Sequence, residues 1–144
     1  MDYPLNTEQY SLIYKVSFLS LASSIYAMYN GYYDMSIYPG GVFLTSVNYW
    51  RNPDYSWRRY LDIGYVKYAL TCQLYKAYGA QYGREYYTVT FIAVWFYVLG
   101  VYYNKKSLYW HSTYAHCMLH IIANIANFIL YSGQITYHEN KNSL

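Results

Sequence analysis

Two imidazoles, His116 and His120, stand four residues apart inside a stretch from Ser107 to His138 that contains no Asp, Glu, Lys or Arg. On a helix, residues at that spacing leave the same face, one a turn above the other, so both rings can approach one metal ion. Zinc suits such ligands, since it takes imidazole, thiolate and carboxylate donors. Ionisable side chains inside an apolar span are costly unless they meet a partner, a cavity or a metal, which makes the pair a functional-site candidate. The same two rings could instead hydrogen-bond across to neighbouring helices.

Positioning such a pair needs a helical, apolar frame, and the composition points to one. Only 12% of the 144 residues are charged, about half the roughly 25% usual in soluble domains. Mean hydropathy is close to zero, but it is pulled down by 25 tyrosines, whose rings sit well at membrane interfaces and between packed helices. The net charge of +3 is spread along the chain without a basic run or stripe, which argues against nucleic acid as a partner. Cys72 and Cys117 both fall in apolar segments and are expected to be free thiols rather than a disulfide framework. Ahead of the first apolar run there is no positive stretch or cleavage site, so the first helix itself is expected to direct insertion.

The charge pattern divides the chain into about five membrane segments of a single helical transmembrane domain, 1–144. A span needs roughly 20 apolar residues. The first segment covers Tyr10 to Tyr32, with Lys15 near its start and the small pair Ser23-Ser24 suited to close packing. The second covers Met35 to Trp50, and Pro39-Gly40-Gly41 is expected to break it near its start, giving a tilted or partly re-entrant helix. The polar 51–59 loop reads as interfacial, with tryptophan anchors. The third segment, Trp57 to Tyr78, carries Asp62 and Lys67; an ion pair or a place in the first helical turns would account for Asp62. Tyr86 to Asn104 and Leu108 to Tyr131 complete the set, and Asn124 and Asn127 of the last segment are expected to bond between helices. The fold class is therefore all-α, a polytopic helical membrane protein. The excess of Arg and Lys in the 51–59 loop and the 104–107 turn favours a cytoplasmic position for that face.

Alternating segments bring the end of the second, the start of the third and the start of the fifth to one membrane face. Ser46, Asp62, His116 and His120 then lie within one half of the bilayer, with Trp50 at its interface, so a shared pocket is geometrically allowed. Ser46-xxx-Trp50, Asp62 and His116-Cys-Met-Leu-His120 resemble the Ser-xxx-His, Asp and His-xxx-His pattern of the alkaline ceramidase, progestin and adiponectin receptor superfamily of intramembrane zinc hydrolases. The resemblance covers about the last two-thirds of the chain. It implies zinc held by His116 and His120, with Asp62 handling the proton of a metal-bound water and Ser46 near the reacting carbonyl of a lipid amide. The sequence departs from the pattern where Trp50 replaces one histidine, because indole does not coordinate zinc as imidazole does, and where five segments stand for seven.

Three functions follow from this sequence. One is a ceramidase-like zinc-dependent lipid amide hydrolase or a non-catalytic relative, with membrane lipid as partner. A second is a structural subunit or scaffold that binds other membrane chains. The third is a channel or transporter lined by Asp62, His116 and His120. All three place the chain in a membrane as an integral protein.

Overall fold

A computed structural model of the chain describes residues 4–135, and there it is all-helical, with no strand. His138, expected to be solvated, lies outside the described residues. Six helices follow in order: α1 (Thr7–Val16), α2 (Phe18–Tyr29), α3 (Tyr33–Trp50), α4 (Trp57–Lys76), α5 (Gly83–Lys105) and α6 (Tyr109–Ser132). Three stretches are long and apolar enough to cross a membrane: Thr7–Tyr29, which joins α1 and α2, then α5 and α6. These are the features of an integral membrane protein. α5 is the most lipid-like of the three, with Phe91, Trp95, Val98 and Val101 all exposed around it.

Local chemistry sets the helix ends. α1 begins at a capping box: the Gln9 backbone N–H donates to the Asn6 side chain at 2.9 Å, and the Asn6 N–H donates back to Gln9 Oε1 at 2.9 Å. Ser17 interrupts the first long stretch, its hydroxyl donating to the Ile13 carbonyl at 2.8 Å, a side-chain bond that competes with the helical ladder and bends it. α4 starts after Ser56, whose side chain accepts from the Arg58 N–H.

The expected break at Pro39-Gly40-Gly41 is not found. α3 runs unbroken from Tyr33 to Trp50 with Pro39 inside it. Proline removes the donor that would serve the Met35 carbonyl four residues back and normally kinks a helix; here the helix continues, and neighbouring helices bind the next two carbonyls of the turn. Ser24 of α2 donates to the Ser36 carbonyl at 2.8 Å, and Tyr65 of α4 donates to the Ile37 carbonyl at 2.7 Å. The two glycines make room for those donors. A Cβ on Gly40 would stand 2.9 Å from Ser24 Oγ, and one on Gly41 only 2.1 Å from the Tyr65 ring. The motif is thus a docking point for α2 and α4.

The helices form an open ring. α4 packs on α3, α3 on α2, α2 and α1 on α6, and α6 along α5, whereas α4 and α5 do not pack along one another among the described residues. At the end holding the α4–α5 connection the ring is laced shut. The Gln81 N–H donates to the Gln134 carbonyl at 2.7 Å, the Tyr32 hydroxyl donates to the Gly133 carbonyl at 2.8 Å, Tyr131 bonds Gln73, and Lys76 pairs with Asp34 at 3.2 Å. The other end, where α3 and α5 finish and α4 and α6 start, gapes between α4 and α5.

Filling the space over Gly41 displaces Tyr65 and its bond to α3. Gly41→Val is expected to destabilise the protein by about 1–3 kcal/mol. In a Tyr65→Phe background the further cost should shrink, because the shared interaction is already lost. Denaturant unfolding in detergent of the four-variant cycle checks this; additive costs would show that Tyr65 does not dock at Gly41.

Candidate functional site

Asp62 is the sixth residue of α4 and is 7% exposed. It forms no ion pair with Lys67, which is exposed. Two hydroxyls from α3 hold it instead: Thr45 Oγ1 and Ser46 Oγ both donate to Oδ1 at 2.9 Å. They are consecutive residues at the end of a helix facing α4, so one carboxylate oxygen receives both. Thr45, whose single hydroxyl proton has the Val42 carbonyl at 3.2 Å as its alternative, longer acceptor, escaped the sequence reading, although its place next to Ser46 was the available signal.

Across the bundle, the His116 ring meets Trp50 edge-on, centroids 5.0 Å apart and planes at 69°. His120 follows on the same face of α6, its ring 5.1 Å from that of His116. Below it, Asn124 Nδ2 donates to the His120 carbonyl at 2.7 Å, while the Ser23 hydroxyl of α2 donates to Asn124 Oδ1 at 2.6 Å. Asn124 therefore ties α6 to α2, as expected of a polar residue between membrane helices, and Ser23 contributes a hydroxyl as well as small size. His111 is exposed and packs against Tyr103 at 5.4 Å, away from the other two rings.

Asp62, Trp50 and His116 share the wall of one cavity of about 360 Å³ between α4 and α5, at the lower end of the roughly 300–1,000 Å³ of small-molecule clefts. Ser46 stands behind Asp62, and His120 behind His116; neither lines the space. Ile13, Ile63, Phe96 and Val101 give it apolar sides, and Arg59, Asn104 and Lys105 stand at its mouth. These mouth residues carried no signal in the sequence, because a cation at a helix end reads as an interfacial anchor. The Trp50 indole N–H is buried and has no acceptor among the described residues.

The charges around the mouth are unevenly matched. Asp54 is held by Arg58 at 2.9 Å, and its carboxyl lies below its ordinary pKa because the Ser56 hydroxyl, and then Arg58, donate to the ionised form. Arg58 also donates to the Asn48 and Asn52 carbonyls at 2.8 and 2.7 Å, closing the loop between α3 and α4. Arg59 and Lys105 take part in no ion pair among the described residues.

A zinc ion bound to a protein takes three or four side-chain ligands. The donor set on α6 is two imidazoles, and among the described residues no three His, Cys, Asp or Glu side chains are grouped to hold one ion. Cys117, adjacent to His116, is buried, and like Cys72 it is a free thiol. Where the superfamily pattern has its further histidine, the Trp50 ring packs against His116 instead. No protein-family model, curated protein or solved structure matches the chain.

If Asp62 serves to dock α4 on α3, its acceptor oxygen matters more than its charge. Asp62→Asn, which keeps that oxygen, should cost less than about 1 kcal/mol, while Asp62→Leu should cost about 1–3 kcal/mol by stranding the Ser46 hydroxyl. Adding Thr45→Val and Ser46→Ala to Asp62→Leu should recover much of the loss, since no donor is then left unpaired. Unfolding midpoints in detergent decide, and an Asp62→Asn loss as large as that of Asp62→Leu would assign the stabilisation to charge.

Proposed function

We propose that the chain is a membrane protein of about five membrane segments that holds a lipid molecule in the cleft between α4 and α5, as a non-catalytic relative of the ceramidase-like hydrolases. The observation that carries this reading is the Trp50–His116 contact. It joins the resemblance's site to an apolar-walled cavity while filling a ligand position with a ring that cannot bind metal. The gap between α4 and α5 supports it further, because a lipid could enter sideways from the bilayer. The unpaired Trp50 N–H beside the cavity supplies a donor for a ligand oxygen or a bridging water.

A second reading, the zinc-dependent lipid amide hydrolase, is favoured by one specific observation. Asp62 and His116 line the same cavity, with Ser46 bonded to Asp62. In that case His116 and His120 hold the ion, which would supply an acidified water, and Asp62 holds the proton at its carboxylate.

Native mass spectrometry of the protein released from nanodiscs separates the two. The lipid-holding reading expects one retained lipid per chain, no stoichiometric zinc, and a retained fraction about tenfold lower in Ile63→Trp, a 1.4 kcal/mol loss of affinity, with the unfolding temperature kept. One zinc per chain, absent from His116→Ala, would carry the hydrolase instead.

A further inference from the structure

Resting on the reading that the cleft holds a lipid, the geometry points to its chemical class: a single-chain anionic phospholipid of the lysophosphatidate type. We infer this from the order of groups along the two walls. Descending α4 from the mouth, Arg59 comes first and Asp62 one turn below it, about 4.5 Å deeper at 1.5 Å per residue. Descending α5, Lys105 and Asn104 come first, then Val101, then Phe96, about 14 Å below Lys105. The cleft thus presents cations, then a carboxylate acceptor, then apolar side chains. A lysophosphatidate presents a phosphate, a glycerol hydroxyl and one acyl chain in the same sequence.

Each position has a chemical reason. Arg59 lies over the rings of Tyr55 and Tyr60, 5.7 and 6.0 Å from their centroids, so aromatic faces and not a carboxylate orient its guanidinium. With Lys105 on the opposite wall, two cations without ion-pair partners among the described residues converge on one opening, and phosphate is the lipid group that both can bind at once. Asp62 accepts two hydroxyl bonds on Oδ1 and still faces the cavity. It calls for a donor from the ligand, which a glycerol hydroxyl provides and a fully acylated glycerol does not. About 360 Å³ accommodates a headgroup and the first carbons of one chain, and the remainder of that chain leaves between α4 and α5, where the helix ring is open.

The test is retention of oleoyl probes by the full chain in detergent, read by native mass spectrometry. The expected order is lysophosphatidic acid at least about tenfold above both lysophosphatidylcholine and its own analogue without the glycerol hydroxyl, tenfold being 1.4 kcal/mol. In Arg59→Gln/Lys105→Gln the preference over lysophosphatidylcholine should vanish as retention of lysophosphatidic acid falls about tenfold or more, with the unfolding temperature kept as the report of a folded cleft. Arg51→Gln/Lys106→Gln removes two exposed cations that do not line the cavity and should keep the preference. Equal retention of the charged and zwitterionic probes overturns the inference, and so does a preference that survives Arg59→Gln/Lys105→Gln or disappears in the control. Equal binding of the analogue without hydroxyl removes the role given to Asp62. Retention of none of the probes, nor of any co-purified lipid, would defeat the lipid-holding reading itself.

Discussion

Every helix contact of consequence in this protein depends on satisfying polar groups inside an apolar bundle, and α3 is where that constraint concentrates. Pro39 removes one donor from the helical ladder, and in a low-dielectric surrounding an unserved backbone group costs several kcal/mol. α2 and α4 both supply hydroxyls to the carbonyls of that turn. About two turns further on, α3 in turn donates two hydroxyls to Asp62 of α4. Arg58 then seals the connection by reaching back to the Asn48 carbonyl. The position of α4 is thus specified by hydrogen bonds at three heights, which explains how a helix carrying Arg58, Arg59, Asp62, Lys67 and Lys76 is held against a largely apolar neighbour.

The same economy of contacts leaves the opposite flank of α4 without a helix beside it. α5 is anchored along α6, where the Ser112 hydroxyl donates to the Gly100 carbonyl at 2.9 Å and Gly100 allows the close approach. Near its short connection with α4, Tyr87 donates to the Leu74 carbonyl. At the far end the packing gathers on the other side of the cavity, where Leu5, Ile13, Tyr49, Trp50 and Cys117 form an apolar cluster. The cavity lies on that flank, walled by Asp62 and Ile63 of α4 and by Phe96 and Val101 of α5.

The helical make-up was legible because charge-free runs and their polar punctuation are a composition signal that survives any detail of packing. Segments expected at Trp57–Tyr78, Tyr86–Asn104 and Leu108–Tyr131 appear as Trp57–Lys76, Gly83–Lys105 and Tyr109–Ser132. Helix order and rise placed Ser46, Asp62, His116 and His120 near one another, with Trp50 at the interface; in the structure Asp62, His116 and Trp50 line one cavity, and Ser46 and His120 do not. Pro39-Gly40-Gly41 was misread because the side chains that dock on its turn, Ser24 and Tyr65, are distant in sequence and carry no local mark. The tyrosines hid the rest. With 25 of them, nothing distinguished Tyr32, Tyr65, Tyr87 and Tyr131, whose hydroxyls tie helices together, from those such as Tyr29 and Tyr78 that are largely exposed.

The residues that resemble a catalytic constellation have a sufficient physical role in docking the helices. Asp62 accepts two inter-helix hydrogen bonds, so an apolar replacement would strand buried donors, a loss comparable to a tenth or more of a typical domain's stability. His116 packs against Trp50, and His120 lies over the Asn124 link to α2. An indole at position 50 gives His116 a larger partner ring than an imidazole would, in the edge-to-face geometry that aromatic pairs favour. Hydrogen bonding at Asp62 and ring packing at Trp50 and His116 therefore account for the way α3, α4 and α6 meet around the cavity.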